Sequence, residues 1–213
     1  VPREGRVHVV DRSVTTIIGA RRAGKSFRAC QMAQEFLDQK ILSSLDQVCF
    51  LDFDNPILSQ MKAKDLRAIE DTFFKLNSNL NLKTPLLFIF DEIHKIEGWE
   101  NYVVDLSRNP NWKVVVTGSS SKLLKTDITT ELRGKAISTT IFPLSLHEFF
   151  TFHKCQYNEH TTSGKAERRR LFDEYLTWGS FPAIVSTPEF SKQALLREYF
   201  DTMILKDIIQ RYN

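Results

Sequence analysis

The feature that most constrains the fold is the stretch TTIIGARRAGKS at residues 15–26. A β-branched run over 14–18 predicts a buried strand, and apolar residues recur at helical spacing over 27–39. Between these patterns lies the motif Gly-x-x-x-x-Gly-Lys-Ser, formed by Gly19, Gly24, Lys25 and Ser26. The order of strand, loop and helix disfavours a chance match and predicts a loop whose backbone N–H groups surround a phosphate.

The loop and the residue after it are the expected nucleotide-binding residues. Lys25 would contact the outer phosphates, and the Ser26 hydroxyl would ligate Mg²⁺. Arg21 and Arg22 would add positive potential over the phosphates or contact a partner, and the alternative is that both are solvated loop residues. The expected set comprises Gly19, Ala20, Arg21, Arg22, Ala23, Gly24, Lys25, Ser26 and Phe27.

Strand-like and helical patterns alternate along the first 150 residues. This alternation is typical of an α/β fold in which helices cover both faces of a parallel sheet. The residues over 86–90 are all apolar, as expected of a central strand that is buried on both sides. The other expected strands lie over 48–53, 113–116 and 136–142, and the expected helices lie over 65–76 and around 99–106.

The patterns change character near residue 150. Ser145 and Glu148 form a capping box, which predicts that a helix begins there. Beyond a polar stretch, the remaining patterns are all helical, over 166–177 and 191–212. We therefore expect a nucleotide-binding core over residues 1–150 and a helical lid over residues 151–213.

Two acidic residues, Asp91 and Glu92, follow the buried strand over 86–90. In a nucleotide hydrolase, the first acid supports the metal ion and the second lines up the attacking water. The alternative is that they are ordinary acids at the end of a strand. The segment VVVTGSSS at 114–121 predicts a strand with a polar end, where Thr117 or Ser119 would orient the water. A strand followed by a serine-rich turn is the alternative for this segment.

Six motifs in order carry a resemblance to a known family: GARRAGKS, FIFDEIHKIEGWE, VVVTGSSSKLL, LRGKAISTTIFPLSLHEFF, WGSFPAIV and YFDTMILKDIIQRY. Together they resemble the bacterial and archaeal AAA+-type ATPases that carry an uncharacterised C-terminal domain after the ATPase module. The resemblance covers residues 12–213. It implies a P-loop core with five parallel strands in the order 5-1-4-3-2, a helical lid, and ATP as the ligand. The family usually has Gln at the position of His94 and Gly at the position of Ser180.

The same resemblance implies roles for two further sites. Arg133 stands before the fifth strand, where AAA+ proteins place an arginine that reaches the γ-phosphate of a neighbouring subunit; the alternative is an arginine that neutralises helix carbonyls. The stretch WGSFP at 178–182 resembles the turn by which related signalling ATPases set a proline against adenine. Pro182, with Phe181 or Trp178, would then contact the base, and a plain turn between helices is the alternative.

The resulting expectation is an ATPase that uses Mg²⁺ and couples its nucleotide state to movement of the lid and to a partner. A switch that binds ATP or ADP and hydrolyses slowly or not at all is one alternative. A DNA-associated helper ATPase is another, although the net charge of +3 and the absence of a long basic run do not favour nucleic acid. The sequence indicates no particular protein partner, and self-association would depend on Arg133.

Composition adds three further expectations. No apolar run approaches the roughly 20 residues of a membrane helix. The three cysteines have no metal-ligand spacing and suit a reducing cytoplasm. Since the chain begins at Val1 and ends within a helical pattern, we expect it to be a fragment that lacks the family's C-terminal domain.

Overall fold

The computed structural model describes residues 2–119, 132, 134–155 and 161–203. The chain divides into two compact units. The first, called the sheet unit below, consists of Arg6–Gly19 and Lys25–Thr140. The second, called the helical unit, consists of Val1–Gly5, Ala20–Gly24 and Ile141–Asn213.

The sheet unit contains five parallel strands, which are β1 (Val14–Gly19), β2 (Val48–Asp52), β3 (Leu86–Asp91), β4 (Trp112–Ser119) and β5 (Ala136–Thr140). They lie in the order β2-β3-β4-β1-β5, and every neighbouring pair is parallel. The predicted order is therefore confirmed. All six residues of β3 are buried, as expected of an apolar strand with a neighbour on each side.

Aromatic rings pack against β3 and hold it in place. The centroids of Phe88 and Trp112 are 5.4 Å apart, and those of Phe90 and Tyr102 are 5.8 Å apart. Phe53 meets Phe90 edge to face at 6.2 Å. Each fully buried ring of this kind contributes about 1.5–3 kcal/mol to folding. This cluster fixes the strand whose last residue is the expected metal ligand.

The described residues of the sheet unit form three α-helices, namely α1 (Lys25–Asp38), α2 (Ala68–Leu76) and α3 (Trp99–Leu106). The apolar residues that recur at helical spacing along α1 do not all face the core, because Phe27 is 54% exposed and Cys30 is also exposed. The face that is buried begins instead with Lys25 and continues through Ala29, Met32 and Phe36. With 3.6 residues per turn, a helix that turns Lys25 inward must turn Phe27 outward.

The helical unit contains α4 (Leu146–Phe152), α5 (Thr162–Trp178), the single turn α6 (Pro182–Val185) and α7 (Glu189–Met203). The capping box before α4 is confirmed: Ser145 Oγ accepts the Glu148 N–H at 3.0 Å, and Glu148 Oε2 accepts the Ser145 N–H at 2.8 Å. The core of this unit consists of Leu144, Phe149, Phe150, Leu171 and Val185. The rest of the helical pattern expected up to residue 212 lies outside the described residues.

Within the described part of the chain, none of the helices is both long and apolar enough to cross a membrane.

Candidate functional site

The ends of three neighbouring strands meet at one edge of the sheet. Gly19, the last residue of β1, is in register with Ser119, the last residue of β4. On the other side of β4, Phe90 is in register with Val116. The next residue is Asp91 in β3 and Thr117 in β4, so the acidic end of β3 lies beside the polar end of β4. The structure thus brings together the polar residues that the sequence predicted at this edge.

Thr117 bridges the two acidic residues. Its hydroxyl donates to Asp91 Oδ1 and accepts the backbone N–H of Glu92 at 3.3 Å. Asp91 is 6% exposed and Thr117 is fully buried. One hydroxyl therefore satisfies a buried carboxylate and a backbone donor at once, and it sets the geometry between them.

Glu92 has an unusual backbone conformation for its residue type. Its φ of 55° and ψ of 32° lie in the left-handed region, which costs a non-glycine residue of order 1–3 kcal/mol. The Thr117 hydroxyl and the 3₁₀ turn Ile93–Lys95 that follows hold it there. Strain of this kind is concentrated at functional sites, and here it turns the Glu92 side chain towards α1.

The Glu92 carboxylate lies between two basic side chains. Lys25 Nζ is 3.6 Å from Oε1, and His94 Nδ1 is 3.4 Å from Oε2. Lys25 and His94 are nearly buried, with side chains 5% and 6% exposed. The expected phosphate-binding lysine and the expected base therefore form a shielded ion pair, in which a phosphate would compete with Glu92 for Lys25.

The remaining residues expected in the sheet unit lie around this pair. Ser26 is exposed in the first turn of α1, and Ser119 is 1% exposed at the end of β4. Among the described residues, no group of three or more His, Cys, Asp or Glu side chains forms a metal cluster. One buried carboxylate and one accessible hydroxyl are instead the hard oxygen donors that suit Mg²⁺ completed by water and phosphate oxygens. The donor set of Asp91 and Ser26 thus fits that ion.

The tip of the glycine-rich loop, Ala20–Gly24, packs within the helical unit. Arg22 has a left-handed backbone with φ of 64°. Its guanidinium donates to Glu198 Oε1 at 3.0 Å and lies 4.0 Å from the centre of the Tyr199 ring. This contact with α7 lies within the chain and was not among the alternatives left open for Arg22, so the roles expected of Arg22 stay predictions. Arg21 is half-buried.

Phe181 and Pro182 lie at the start of α6. Gly179 ends α5 with φ of 72°, and Pro182 occupies the first position of the next helix, where its missing N–H costs nothing. Pro182 Cγ is 3.7 Å from the point that a Cβ on Gly24 would occupy. The stretch is therefore a turn between helices, as in the plain interpretation, and it also lies beside the glycine-rich loop. The carbonyl of Ser180 accepts the Leu144 N–H at 2.8 Å.

One expected residue lies outside the described part of the chain, and one buried residue was not expected. Arg133 lies outside the described residues, so its expected role in a neighbouring subunit stays a prediction. Conversely, Arg3 received no role from the sequence, although it is buried and donates to the Ala23 carbonyl at 2.7 Å. No motif surrounds Arg3, and its partners are distant in sequence, so no sequence signal pointed to it.

Comparisons with known proteins give a family match for the chain. A model of the family described as "AAA domain" matches residues 11–150. The chain is 27% identical over 215 residues to an uncharacterized protein of Methanocaldococcus jannaschii, and 30% identical over 202 residues to an uncharacterized protein of Haemophilus influenzae. These alignments cover 100% and 93% of this chain but 46% of each relative. The chain thus spans about half the length of the curated relatives that it matches.

Two solved structures were superposed on the chain. PCH-2 of C. elegans superposes with a TM-score of 0.55 at 14% identity, over 92% of this chain and 63% of that chain. AMPPCP-bound DnaA from Aquifex aeolicus superposes with a TM-score of 0.49 at 12% identity, over 95% of this chain and 60% of that chain. At such identities, the likeness to PCH-2 concerns the fold alone.

Proposed function

Since the chain belongs to the AAA domain family, we propose that it binds ATP or ADP with Mg²⁺ and hydrolyses ATP to ADP and phosphate. The observation that carries the proposal is the meeting of Lys25, Asp91, Glu92 and Thr117 at one edge of the sheet. Lys25 is the cation for the outer phosphates, Asp91 is the buried ligand for the metal ion, and Glu92 is the base for the water. Thr117 is the polar group that holds the two acids.

Each residue has a defined task in this proposal. The residues Gly19 to Ser26 bind the phosphates, and Ser26 and Asp91 hold Mg²⁺, which neutralises charge on the phosphate oxygens. Glu92 accepts a proton from the attacking water. Thr117 fixes the position of Glu92 relative to Asp91, and Thr117 or Ser119 orients the water.

Nucleotide binding changes the partners of Glu92. The outer phosphates compete for Lys25, because a polyphosphate carries more negative charge than a carboxylate. Once Lys25 turns to the phosphates, the Oε1 atom of Glu92 is released to accept a proton. His94, at 3.4 Å from Oε2, stays to orient the carboxylate.

We further propose that the helical region from residue 151 acts as a lid that responds to the nucleotide. The support is that the loop tip Ala20–Gly24 packs in one unit with α4–α7. Contact of Pro182 and Phe181 with adenine belongs to the same proposal. The partner that reads the lid is unassigned. The three cysteines are free, which supports a reducing compartment such as the cytoplasm.

A comparison of Lys25→Ala with Lys113→Ala tests nucleotide binding. Both changes remove one lysine charge from the sheet unit, but Lys113 pairs with Asp11 instead of Glu92. We expect Lys25→Ala to weaken ATP binding by at least about tenfold, roughly 1.4 kcal/mol, and Lys113→Ala to leave it unchanged. Calorimetric titration with ATP, ADP and pyrophosphate measures this. Equal affinity in wild type and Lys25→Ala would remove the basis of the proposal.

The ion pair of Glu92 with Lys25 favours one second candidate, a switch that binds nucleotide and turns over very slowly. Steady-state phosphate release, compared with the nucleotide retained after gel filtration, separates the two functions. Rates that rise with protein concentration would indicate self-association of the kind proposed for Arg133. Salt-dependent binding to DNA would instead support a DNA-associated ATPase.

A further inference from the structure

The N-terminal segment of the helical unit contains a buried cation that the proposed mechanism does not use. Arg3 is 8% exposed, and arginine is almost never buried unless it is paired. It precedes the part of the chain that matches the family, which begins at residue 11. The contacts of Arg3 show why it is buried.

All three nitrogen atoms of the Arg3 guanidinium donate hydrogen bonds. Its Nε donates to Glu148 Oε1 at 2.9 Å, and its Nη1 donates to the Ala23 carbonyl at 2.7 Å. Its Nη2 donates to the Phe142 carbonyl at 2.5 Å and lies 3.4 Å from the Pro143 carbonyl. The planar fork of arginine allows these bonds in several directions at once. A single side chain thus joins the glycine-rich loop to the segment that leads into α4.

Glu148 is the counter-charge of Arg3. It also accepts the Glu4 N–H at 2.7 Å and the Ser145 N–H at 2.8 Å. Burial by itself would raise the pKa of Glu148, but these two backbone bonds and Arg3 outweigh it and lower the pKa. The carboxylate is therefore charged at neutral pH, and its own contacts do not include the loop.

Gly24 shows how closely Arg3 approaches the loop. A Cβ on Gly24 would lie 2.7 Å from Arg3 Nη1, and Gly24 has φ of 96°, a conformation that side chains disfavour. A side chain at the second glycine of the motif would therefore displace the end of Arg3 and strain the turn. Arg3 lies against the loop backbone at the peptide that joins Ala23 to Gly24.

We propose that Arg3 is a positioning residue for the phosphate-binding loop, an inference that rests on the proposed nucleotide binding. The Ala23 carbonyl and the Gly24 N–H belong to one planar trans peptide, so they point in opposite directions. By holding the carbonyl, Arg3 turns the Gly24 N–H away from itself and makes it available to a phosphate. A charged donor on the carbonyl also polarises the peptide and strengthens that N–H as a donor.

Three variants separate positioning from plain stability. Arg3→Met removes the donors but keeps an unbranched chain, and Arg3→Lys keeps the charge but not the fork. Glu148→Gln keeps an acceptor for Arg3 and removes the counter-charge, which lies away from the loop. Arg6→Met is the matched control, because Arg6 is an exposed cation three residues further along the chain.

The probe is inorganic pyrophosphate, measured by calorimetry at a temperature where each variant is folded by circular dichroism. We expect Arg3→Met to weaken pyrophosphate and ATP binding about tenfold, and Arg3→Lys to weaken it less. Glu148→Gln should lower the melting temperature yet change affinity by less than about twofold, and Arg6→Met should change neither.

The outcomes are distinguishable. If wild type binds pyrophosphate and Arg3→Met binds it equally well, Arg3 only stabilises the fold and the inference is wrong, while the proposed function stands. If wild type binds neither pyrophosphate nor ATP, the proposed function fails and this inference fails with it. If Arg3→Met does not fold, Arg3→Lys decides, since unchanged affinity in that variant also overturns the inference.

Discussion

Replacing Thr117 with valine removes one buried hydroxyl and almost no volume. The hydroxyl donates to Asp91 and accepts the Glu92 N–H at 3.3 Å. Loss of a hydrogen bond to a charged group costs about 1.5–3 kcal/mol, and a buried N–H left unpaired costs about 1–3 kcal/mol. The additional methyl group returns at most about 0.8 kcal/mol. These terms sum to about 1.7–5.2 kcal/mol. We therefore expect Thr117→Val to lower the free energy of unfolding by about 3 kcal/mol.

Thr15→Val is the matched control for this prediction. Thr15 is also fully buried in a central strand of the same sheet. Among the described residues, its hydroxyl donates only to the His8 carbonyl, at 3.3 Å, and His8 is exposed, so water can replace the bond. We expect this control to cost less than about 1 kcal/mol. The difference between the two variants isolates the charged contact and the N–H of Glu92.

The assay is equilibrium unfolding in urea, with the midpoint and slope compared for wild type, Thr117→Val and Thr15→Val. In a thermal melt, the expected difference of about 2 kcal/mol corresponds to roughly 4–8 °C for a chain of this length. Thr117→Ser, which keeps the hydroxyl, should recover most of the loss. If Thr117→Val is no less stable than Thr15→Val, the bridge contributes nothing and our account of how the two acids are held is wrong.

Three further predictions concern the nucleotide and the helical unit. Glu92→Gln keeps the size of the side chain but not its basicity, so ATP should bind and persist; wild-type turnover would exclude Glu92 as the base. Pro182→Ala should weaken ATP and ADP alike while pyrophosphate affinity is kept, and amide exchange across 166–203 should rise with ADP bound. Unaltered affinity and exchange would leave Pro182 as part of a turn only. Burial lowers the pKa of His153 below its ordinary 6.5, so the unfolded chain binds the proton more readily and stability should fall as pH drops below about 6.5. In His153→Gln, the urea midpoint should change less between pH 7.5 and 5.5, and an equal change in both proteins would contradict this.

Local patterns were sufficient to predict the strands, whereas their order in the sheet followed from the resemblance to the AAA+ family. A run such as Leu86–Phe90 has few alternatives, because five apolar residues in a row require burial on both sides. The motif at Gly19–Ser26 then assigns the strand that precedes it to the middle of a P-loop sheet. The acidic pair was also predictable, because Asp91 and Glu92 follow a strand directly.

The details that depend on distant neighbours were not predictable. In α1, Lys25 lies 3.6 Å from Glu92, 67 positions away, and Phe27 is exposed; apolar spacing alone does not reveal this orientation of the helix. The hydrogen bonds of Thr117 to Asp91 and Glu92 could be predicted only by knowing which side chain of β4 faces β3. Arg3 has partners at positions 23 and 148, and no local pattern encodes such a pairing.

The discontinuous origin of the helical unit has a consequence for the nascent chain. Arg3 and Glu148 are separated by 145 positions, so at a synthesis rate of 5–20 residues per second the second partner appears roughly 7–30 s after the first. During that interval most of the sheet unit is synthesised, whereas Arg3 lacks the counter-charge that would offset the cost of its burial. Ribosome-bound chains that stop before residue 148 should therefore expose the N-terminal segment to protease, and the glycine-rich loop should acquire its final shape among the last events of folding.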